Sequence, residues 1–331
     1  MLRPFIDAHV HLNTTTGAKM KLAQRYDVQF VSINTDIPFF IPLKEQEQVI
    51  HTLNEKYPIA NFITSFDTQY WNTDKWLPHA LEQIKNGIAN GARGVKMWKN
   101  LGMDEKIKDE NGRFVLIDDP RFYPIYEYLV ENDILLIGHQ GEPRNCWLPL
   151  EKMTVDSDRE YFKEHPEYHM YLQPEYPTYE RQMEARDNVL NKFSGLRFVG
   201  LHLFSVEWSL DEVAKRLDLF PNTMTDLAER ICHVQLQAME NHDKVRDFFI
   251  KYQDRIIYGT DVIDDGSMKA DEVADKFEKL WNFHWEFFST DNLMQAPEFE
   301  GTYRGLALPD EVLQKIFREN AIKTYNLSSR K

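Results

Sequence analysis

A pair of histidines closes the first apolar stretch of the chain. The segment Asp7-Ala8-His9-Val10-His11 stands at the end of that stretch. Side chains two residues apart on a strand point to the same side, so His9 and His11 predict two imidazoles facing one side of a sheet. Such a pair is a candidate metal site. His-x-His also occurs by chance in many chains, so the pair alone does not decide between the two interpretations.

Three further apolar runs end in residues of the same chemistry. The fifth run ends at His139, the sixth at His202 and the eighth at Asp261. Imidazole nitrogens and carboxylate oxygens are ligands that suit zinc, iron, manganese or nickel. A single buried histidine is more often a hydrogen-bonded core residue, but the set favours one shared metal site.

The elements that position these residues alternate between short apolar runs and segments with helical spacing, which is typical of a parallel α/β protein. Because the alternation continues to the end of the chain, we predict a (β/α)8 TIM barrel with long insertions in its βα loops, formed by residues 1–331 as one domain. The predicted strands are Pro4–Ala8, Val28–Ile33, Asn61–Phe66, Arg93–Trp98, Ile134–His139, Arg197–His202, Asn222–Leu227 and Arg255–Asp261.

Three connections are too long for plain βα loops: Lys99–Arg121, Gly141–Ser194 and Val262–Thr302. All three follow predicted strand ends, so in a barrel they crowd the rim that carries the active site. Segments of this length are expected to be lids or to contain extra helices. The insertion at 141–194 is rich in aromatic residues, which either line a lid or form a small core, and core packing is expected for most of them. They are Trp147, Tyr161, Tyr168, Tyr171, Tyr176 and Tyr179.

Composition excludes several classes of protein. The 331 residues include 39 basic and 53 acidic side chains, for a net charge of −14, whereas binding to nucleic acid or an anionic membrane surface needs clustered Lys and Arg. No apolar run approaches the roughly 18 residues of a membrane span, and the first residues lack a signal-peptide pattern. A cytoplasmic location is therefore expected. Cys146 and Cys232 provide neither a disulfide framework nor a cysteine zinc site.

The sequence resembles the amidohydrolase superfamily of metal-dependent hydrolases, in the branch that includes aminocarboxymuconate-semialdehyde decarboxylase. The resemblance covers nearly the whole chain. The segments that carry it are Ile6–His11, Gly94–Lys96, His139, His202, Gly259–Asp261, Glu319–Ala321, Tyr325 and Leu327.

The resemblance implies a ligand set of His9, His11, His139 and Asp261 around one divalent metal ion. Zinc is the expected ion, with manganese, iron and nickel as alternatives. Asp261 would also take and return a proton, and His202 would contact the water or the substrate. A divalent ion lowers the pKa of a bound water from 15.7 toward ~7 and polarises the oxygen of the bond under attack.

Lys96 has three interpretations. In binuclear relatives, a fourth-strand lysine is carboxylated and bridges two metals, but the branch that this sequence resembles implies one metal, and we expect Lys96 to be an unmodified amine that contacts the substrate. A pair between Lys96 and a barrel carboxylate is the third alternative. Asp7 lies two residues before His9, and we expect it either to orient a ligand histidine or to fill the interior.

Two charged residues follow His139 closely. Arg144 has the planar fork that suits a substrate carboxylate, and Glu142 lies beside it, so both are candidate substrate contacts. A Glu142–Arg144 pair that only holds the loop is the alternative interpretation.

The expected activity is that of a metal-dependent hydrolase that cleaves a C–N or C–O bond, as in an amide, cyclic amide or lactone, of a small polar substrate. A non-oxidative decarboxylase of a small carboxylic acid is the alternative, because relatives with the same ligand set carry out that reaction. A metal-binding barrel without turnover ranks third, because the expected ligand positions are filled. A small molecule is the expected partner, with a homodimer as the expected association.

Overall fold

The computed structural model describes residues 4–328, and its parallel strands follow the predicted order. Each predicted run overlaps a strand, although β1 extends past its run to Leu12 and most of the other strands are shorter than their runs. The parallel strands are β1 (Phe5–Leu12), β2 (Val28–Ile33), β3 (Ala60–Ile63), β4 (Val95–Lys96), β5 (Leu136–Gly138), β6 (Phe198–Gly200), β7 (Thr223–Asp226), β8 (Ile256–Ile257) and β9 (Val262–Asp264). Two further strands, β10 (Leu293–Met294) and β11 (Tyr303–Arg304), form an antiparallel pair.

Hydrogen bonds close the parallel strands into a barrel. The strands form two parallel sheets in the orders β3-β2-β1-β9 and β4-β5-β6-β7-β8, and a parallel bridge between Thr64 and Val95 joins β3 to β4. On the other side, the Ala8 N–H donates to the Tyr258 carbonyl at 3.1 Å and the Asp261 N–H donates to the His9 carbonyl at 2.8 Å. The eighth barrel strand therefore has two parts: β8 pairs with β7, and β9 pairs with β1. The predicted TIM barrel is confirmed.

Helices surround the barrel. Among residues 4–328, no helix is both long and apolar enough to cross a bilayer. The helices are α1 (Ala18–Tyr26), α2 (Leu43–Lys56), α3 (Trp76–Ala89), α4 (Tyr123–Glu131), α5 (Asp156–Glu164), α6 (Tyr179–Lys192), α7 (Leu201–Phe204), α8 (Leu210–Leu219), α9 (Ile231–Glu240), α10 (His242–Lys251), α11 (Ala270–Ser289), α12 (Asp310–Gln314) and α13 (Asn320–Tyr325). A π-helical turn, Lys315–Glu319, joins the last two.

The barrel interior is apolar at one end. Side chains of the strands form a buried cluster there, and the residues that complete the cluster come from the C-terminal segment. Ala321 and Tyr325 of α13, followed by Leu327, close this end of the barrel. The C-terminal residues that carried the family resemblance thus act as a plug, and the polar residues of the barrel gather at the opposite end. The strand residues of the cluster are Ile6, Ala8, Val31, Ile33, Ile63, Ile137, Val199 and Ile257, and Leu135 and Leu201 join it from just before β5 and just after β6.

The insertion at 141–194 contains the α-helices α5 and α6 and several short 3-10 helices. It has a small core of its own around Cys146, Met153, Phe162 and Met170, which Trp147 and Tyr176 border. Tyr179, on α6, packs into the main core. The expectation of core packing is wrong for the three remaining tyrosines, Tyr161, Tyr168 and Tyr171, which are 47%, 47% and 51% exposed.

A buried ion pair holds α1 against β9. The Lys19 Nζ lies 2.5 Å from the Asp264 carboxylate, and neither side chain is more than 2% exposed. The same ammonium donates to the carbonyl oxygens of Thr14 and Thr16 at 2.9 and 3.0 Å, so its hydrogen-bonding capacity is used. This pair fixes the loop that follows β1 beside the strand that closes the barrel.

Removing one partner of this pair should be costly. We expect Lys19→Met to lower the free energy of unfolding by about 3–5 kcal/mol, because the Asp264 charge stays buried without its partner. Urea denaturation followed by circular dichroism measures this change. The matched control is Lys279→Met, which breaks an exposed pair with Asp275 and should cost less than about 1 kcal/mol. Equal effects of the two substitutions would contradict the assignment.

Candidate metal centre

An extra residue in β1 turns its histidines toward the barrel interior. Asp7 is in register with Phe30 of β2 and Val10 with Ser32, so three steps in β1 match two steps in β2, which defines a β-bulge. Before the bulge, Ile6 and Ala8 belong to the interior cluster. After it, Val10 and Leu12 pack into the outer core. His9 and His11 therefore face the inside of the barrel.

Asp7 consequently lies on the other side of the strand from the histidines. Its Oδ1 accepts from the Thr260 N–H at 2.9 Å, and its Oδ2 accepts from the Thr260 hydroxyl at 2.8 Å and from the Trp281 indole at 2.9 Å. Burial raises the pKa of Asp7 to about 6. The expectation that Asp7 shares a face with His9 and orients a histidine is wrong, because the bulge reverses the alternation. Asp7 instead fixes the residue before Asp261.

A second carboxylate, which the sequence analysis did not single out, lies beneath the histidines. Asp226, at the end of β7, is 1% exposed. Its Oδ2 accepts from the His9 Nδ1 at 2.6 Å, and its Oδ1 accepts from the His202 backbone N–H at 2.5 Å. The signal that could have found it is its position at a strand end, the same one that identified Asp261. Asp226 thus connects two of the predicted site residues.

Hydrogen bonds to the other ring nitrogens fix the tautomers of the histidines. The His11 Nδ1 donates to the Ile33 carbonyl at 2.7 Å, and the His202 Nδ1 donates to the Ala228 carbonyl at 2.9 Å. With the His9 Nδ1 donating to Asp226, all three rings direct Nε2 toward the centre. Fixing a ring through its outer nitrogen is how proteins hold metal-ligating histidines.

The Asp261 carboxylate lies between these three nitrogens. Its Oδ1 is 3.1 Å from the His9 Nε2 and 3.2 Å from the His11 Nε2, while its Oδ2 is 3.8 Å from the His202 Nε2. Candidate ligand atoms of His9, His202 and Asp261 lie within 4.8 Å of one another. Lone pairs and a carboxylate at such distances repel unless a proton or a cation lies between them.

Electrostatics at the centre favour positive charge. Burial lowers the pKa of His9, but the carboxylates of Asp261 and Asp226 outweigh it and raise the value to about 9. Burial opposes ionisation of Asp261, yet the neighbouring histidines hold its pKa well below the usual range. The centre therefore attracts a cation, which fits the divalent metal that amidohydrolases generally use.

Close packing at His9 leaves no room for a side chain on the neighbouring strand. A Cβ at Gly259 would lie 2.7 Å from the His9 Cβ, far inside the usual contact distance. The glycine before Thr260 therefore lets the eighth barrel strand approach β1 and bring Asp261 to the histidines.

His139 lies at the edge of this centre. It follows β5, its ring centroid is 4.5 Å from that of His202, and both of its nitrogens are buried without a hydrogen-bond partner in the described part of the chain. A buried imidazole without partners is costly, so a ligand at the centre would satisfy it. Its place in the metal ligand set stays a prediction.

Glu142 and Arg144, the charged residues that follow His139, do not pair with each other. The Glu142 carboxylate is 2.9 Å from the Lys99 Nζ, so the Glu142–Arg144 pair is not formed. The Arg144 guanidinium lies over the Trp208 ring, with its central carbon 4.3 Å from the ring centroid. Both residues remain candidate substrate contacts on the rim, and Lys99 balances the charge of Glu142.

His202 is held by an unusual backbone turn. Residues His202, Leu203, Phe204 and Ser205 have φ values of 55°, 56°, 58° and 53°, a left-handed conformation that costs roughly 1–2 kcal/mol per residue. The insertion helix α6 holds this turn, because Arg186 donates to the Phe204 carbonyl and the Tyr179 hydroxyl donates to the Ser205 carbonyl at 2.5 Å.

A barrel with an inward-facing histidine and aspartate cluster at the carboxyl ends of its strands defines a class of candidate metalloenzymes. A family model described as Amidohydrolase matches residues 68–327. The chain therefore belongs to the amidohydrolase family, and the resemblance noted in the sequence is confirmed. No curated protein matches the chain.

Solved structures show the same fold at low sequence identity. The chain is similar to 2,6-dihydroxybenzoate decarboxylase from Rhizobium, with 12% identity, a TM-score of 0.53 and coverage of 98% of this chain and 99% of that one. It is equally similar to an uncharacterized TIM-barrel protein from Bordetella bronchiseptica, with 14% identity, a TM-score of 0.53 and the same coverage.

Asp226 should tune the centre without being a ligand. We expect Asp226→Asn to weaken zinc binding by about 10- to 100-fold, because the amide keeps the shape but removes the charge that polarises His9. Competition with a chromogenic chelator measures the affinity. Asp67→Asn is the control, since Asp67 makes a similar contact with His79 at 3.0 Å but away from the site. Unchanged affinity in Asp226→Asn would contradict the role.

The left-handed turn should depend on α6. We expect Arg186→Met to lower the free energy of unfolding by about 1.5–3 kcal/mol, since the Phe204 carbonyl loses a charged donor, and to shift the side-chain NMR signals of His202. Arg181→Met, on the same helix, removes a pair with Asp118 and should leave those signals in place. If the His202 signals of the Arg186→Met variant are those of the wild type, Arg186 does not hold the turn.

Proposed function

We propose that the protein is a metal-dependent hydrolase that cleaves a C–N or C–O bond, as in an amide, cyclic amide or lactone, of a small polar molecule. The observation that carries the proposal is the position of the Asp261 carboxylate among the Nε2 atoms of His9, His11 and His202. This donor set combines imidazole and carboxylate, which zinc prefers in catalytic sites. Zinc is the ion that we propose.

His9, His11, His139 and Asp261 are the residues that would hold the ion. The unpartnered nitrogens of His139 and the inward Nε2 atoms of His9 and His11 support this set. When bound, a divalent ion lowers the pKa of a water at the site and polarises the substrate oxygen. His202 is assigned to the water or substrate because its Nε2 is the farthest of the three from Asp261.

The two oxygens of Asp261 allow two separate roles. Oδ1 lies near the His9 and His11 nitrogens, whereas Oδ2 has only His202 at 3.8 Å. In hydrolysis, Oδ2 would take the proton of the attacking water as its oxygen bonds to the substrate carbon. The same proton would pass to the leaving nitrogen or oxygen when that bond breaks. Lys96, Glu142 and Arg144 are the proposed substrate contacts.

A decarboxylase is the second candidate, and Lys96 is the observation that favours it. This buried ammonium lacks a carboxylate partner and could hold the acid group of a substrate. Loss of carbon dioxide leaves a carbon that must receive a proton, which Asp261 could pass on from a water molecule at the site. The likeness to a decarboxylase structure at 12% identity supports the fold and not the reaction. A homodimer and a cytoplasmic location stay predictions.

Two substitutions separate metal binding from proton transfer. We expect His9→Ala to lose most of its zinc, because a ligand and the Asp226 contact are both removed. We expect Asp261→Asn to keep much more zinc than His9→Ala, because the amide oxygen can ligate but cannot take a proton, and to lose at least about 100-fold in turnover. Elemental analysis and rates measured on the same samples test this. Full zinc occupancy in His9→Ala would refute the site.

A panel of small substrates distinguishes hydrolysis from decarboxylation. The zinc-loaded protein is incubated with small lactones, cyclic amides and aromatic carboxylic acids, and the products are identified by mass spectrometry. Ring-opened acids support the hydrolase, whereas carbon dioxide release supports the decarboxylase. His51→Ala is the matched control, since the exposed His51 contacts Glu47 and Phe62 away from the site, and it should keep both zinc and turnover.

A further inference from the structure

Lys96 differs from the other buried cations of the described chain, which all have a carboxylate close by. Lys19 pairs with Asp264 at 2.5 Å, Arg186 with Asp187 at 2.7 Å, and further buried arginines with neighbouring glutamates. Lys96 is 3% exposed. Across residues 4–328, its Nζ has no carboxylate oxygen within 4.0 Å and no hydrogen-bond acceptor.

The Lys96 side chain points into the barrel at the level of the metal centre. Val95, the other residue of β4, packs into the outer core, and a Cβ at Gly94, just before β4, would meet Leu135 and Ile63 of the interior cluster at 3.2 and 3.5 Å. Lys96 is in register with Ile137 of β5, two residues before His139. Burial lowers the pKa of Lys96 to about 8, and the carboxylates of Asp261 and Asp226 oppose this change.

An unpaired ammonium in this position is unfavourable in the free protein. Taking such a charge out of water costs several kcal/mol unless an opposite charge and hydrogen bonds replace the solvent. Lys99, the other lysine near the centre, already has Glu142 at 2.9 Å. A carboxylate of a bound molecule would supply an opposite charge at hydrogen-bond distance, and one ammonium matches a single carboxylate.

We propose that Lys96 binds a carboxylate of the substrate, so that the substrate is a small carboxylic acid whose reacting bond lies at Asp261. This inference rests on the proposed function and narrows its substrate class. For the hydrolase, the substrate would be a lactone or amide that also carries a carboxylate. For the decarboxylase, it would be an acid that loses carbon dioxide.

The experiment compares carboxylates with neutral amides of the same shape. Acetate and acetamide, and benzoate and benzamide, are titrated calorimetrically into zinc-loaded wild type, Lys96→Met, Lys96→Arg and Lys99→Met, after zinc content and circular dichroism are checked. The preference for the carboxylate over its amide should fall by about tenfold or more in Lys96→Met, as expected for a charged hydrogen bond. Lys96→Arg should recover part of it.

Lys99→Met is the charge control, because it also removes one positive charge near the centre. The preference of Lys99→Met for the carboxylate should change by less than about threefold, since Lys99 contacts Glu142 and acts on a carboxylate at Lys96 only through the longer-range field. A preference that is unchanged in Lys96→Met, or absent from the wild type, overturns the proposal. If the purified protein holds no metal, the proposed function fails, but the same titrations without zinc still test Lys96.

A competing source of negative charge is Lys96 itself. Carbon dioxide can add to the neutral amine, forming an N–C bond and releasing a proton, which gives a carbamate. Incubation with ¹³C-labelled bicarbonate and ¹³C NMR detects this product. A carbamate signal in the wild type that is absent from Lys96→Met would falsify the proposal, because the buried nitrogen would then be anionic.

Discussion

The extra residue in β1 is the constraint on which the site depends. Without the bulge, strand alternation would place His9 and His11 on the same side as Asp7, outward in the helix layer. With it, the strand contributes apolar residues to the closed end of the barrel and imidazoles to the open end. It also leaves Asp7 free to hold Thr260 from outside. One inserted residue thus serves both the histidine pair and the aspartate opposite.

The rest of the centre is assembled by contacts between distant segments. Asp226 holds His9 through its ring and His202 through its backbone, so β1, β6 and β7 are fixed relative to one another. The left-handed turn that carries His202 is stabilised by α6, which lies at the end of the long insertion. Strain at the site is therefore offset by a buried arginine and a tyrosine well outside it, a common arrangement at functional positions.

Strand ends were the informative part of the sequence. They predicted the barrel, and they predicted that His9, His11, His202 and Asp261 would meet, because the carboxyl ends of barrel strands converge. Asp226 was overlooked although it also ends a strand. The bulge could not be predicted, since it depends on register with β2. The turn at residues 202–205 contains no glycine and so gave no signal, and the Lys99–Glu142 pair joins two loops whose approach only the folded chain defines.

The insertion divides functionally at Tyr179. The residues before it form a small separate core, with exposed tyrosines at its surface, whereas Tyr179 and Arg186 belong to the main body of the barrel and hold the His202 turn. Segment exchange with relatives is thus compatible with the barrel if the junction falls between Pro177 and Thr178, so that the α6 N-cap at Thr178 stays intact. The same boundary separates the segment that carries Glu142 and Arg144, the proposed substrate contacts, from the helix that holds the His202 turn.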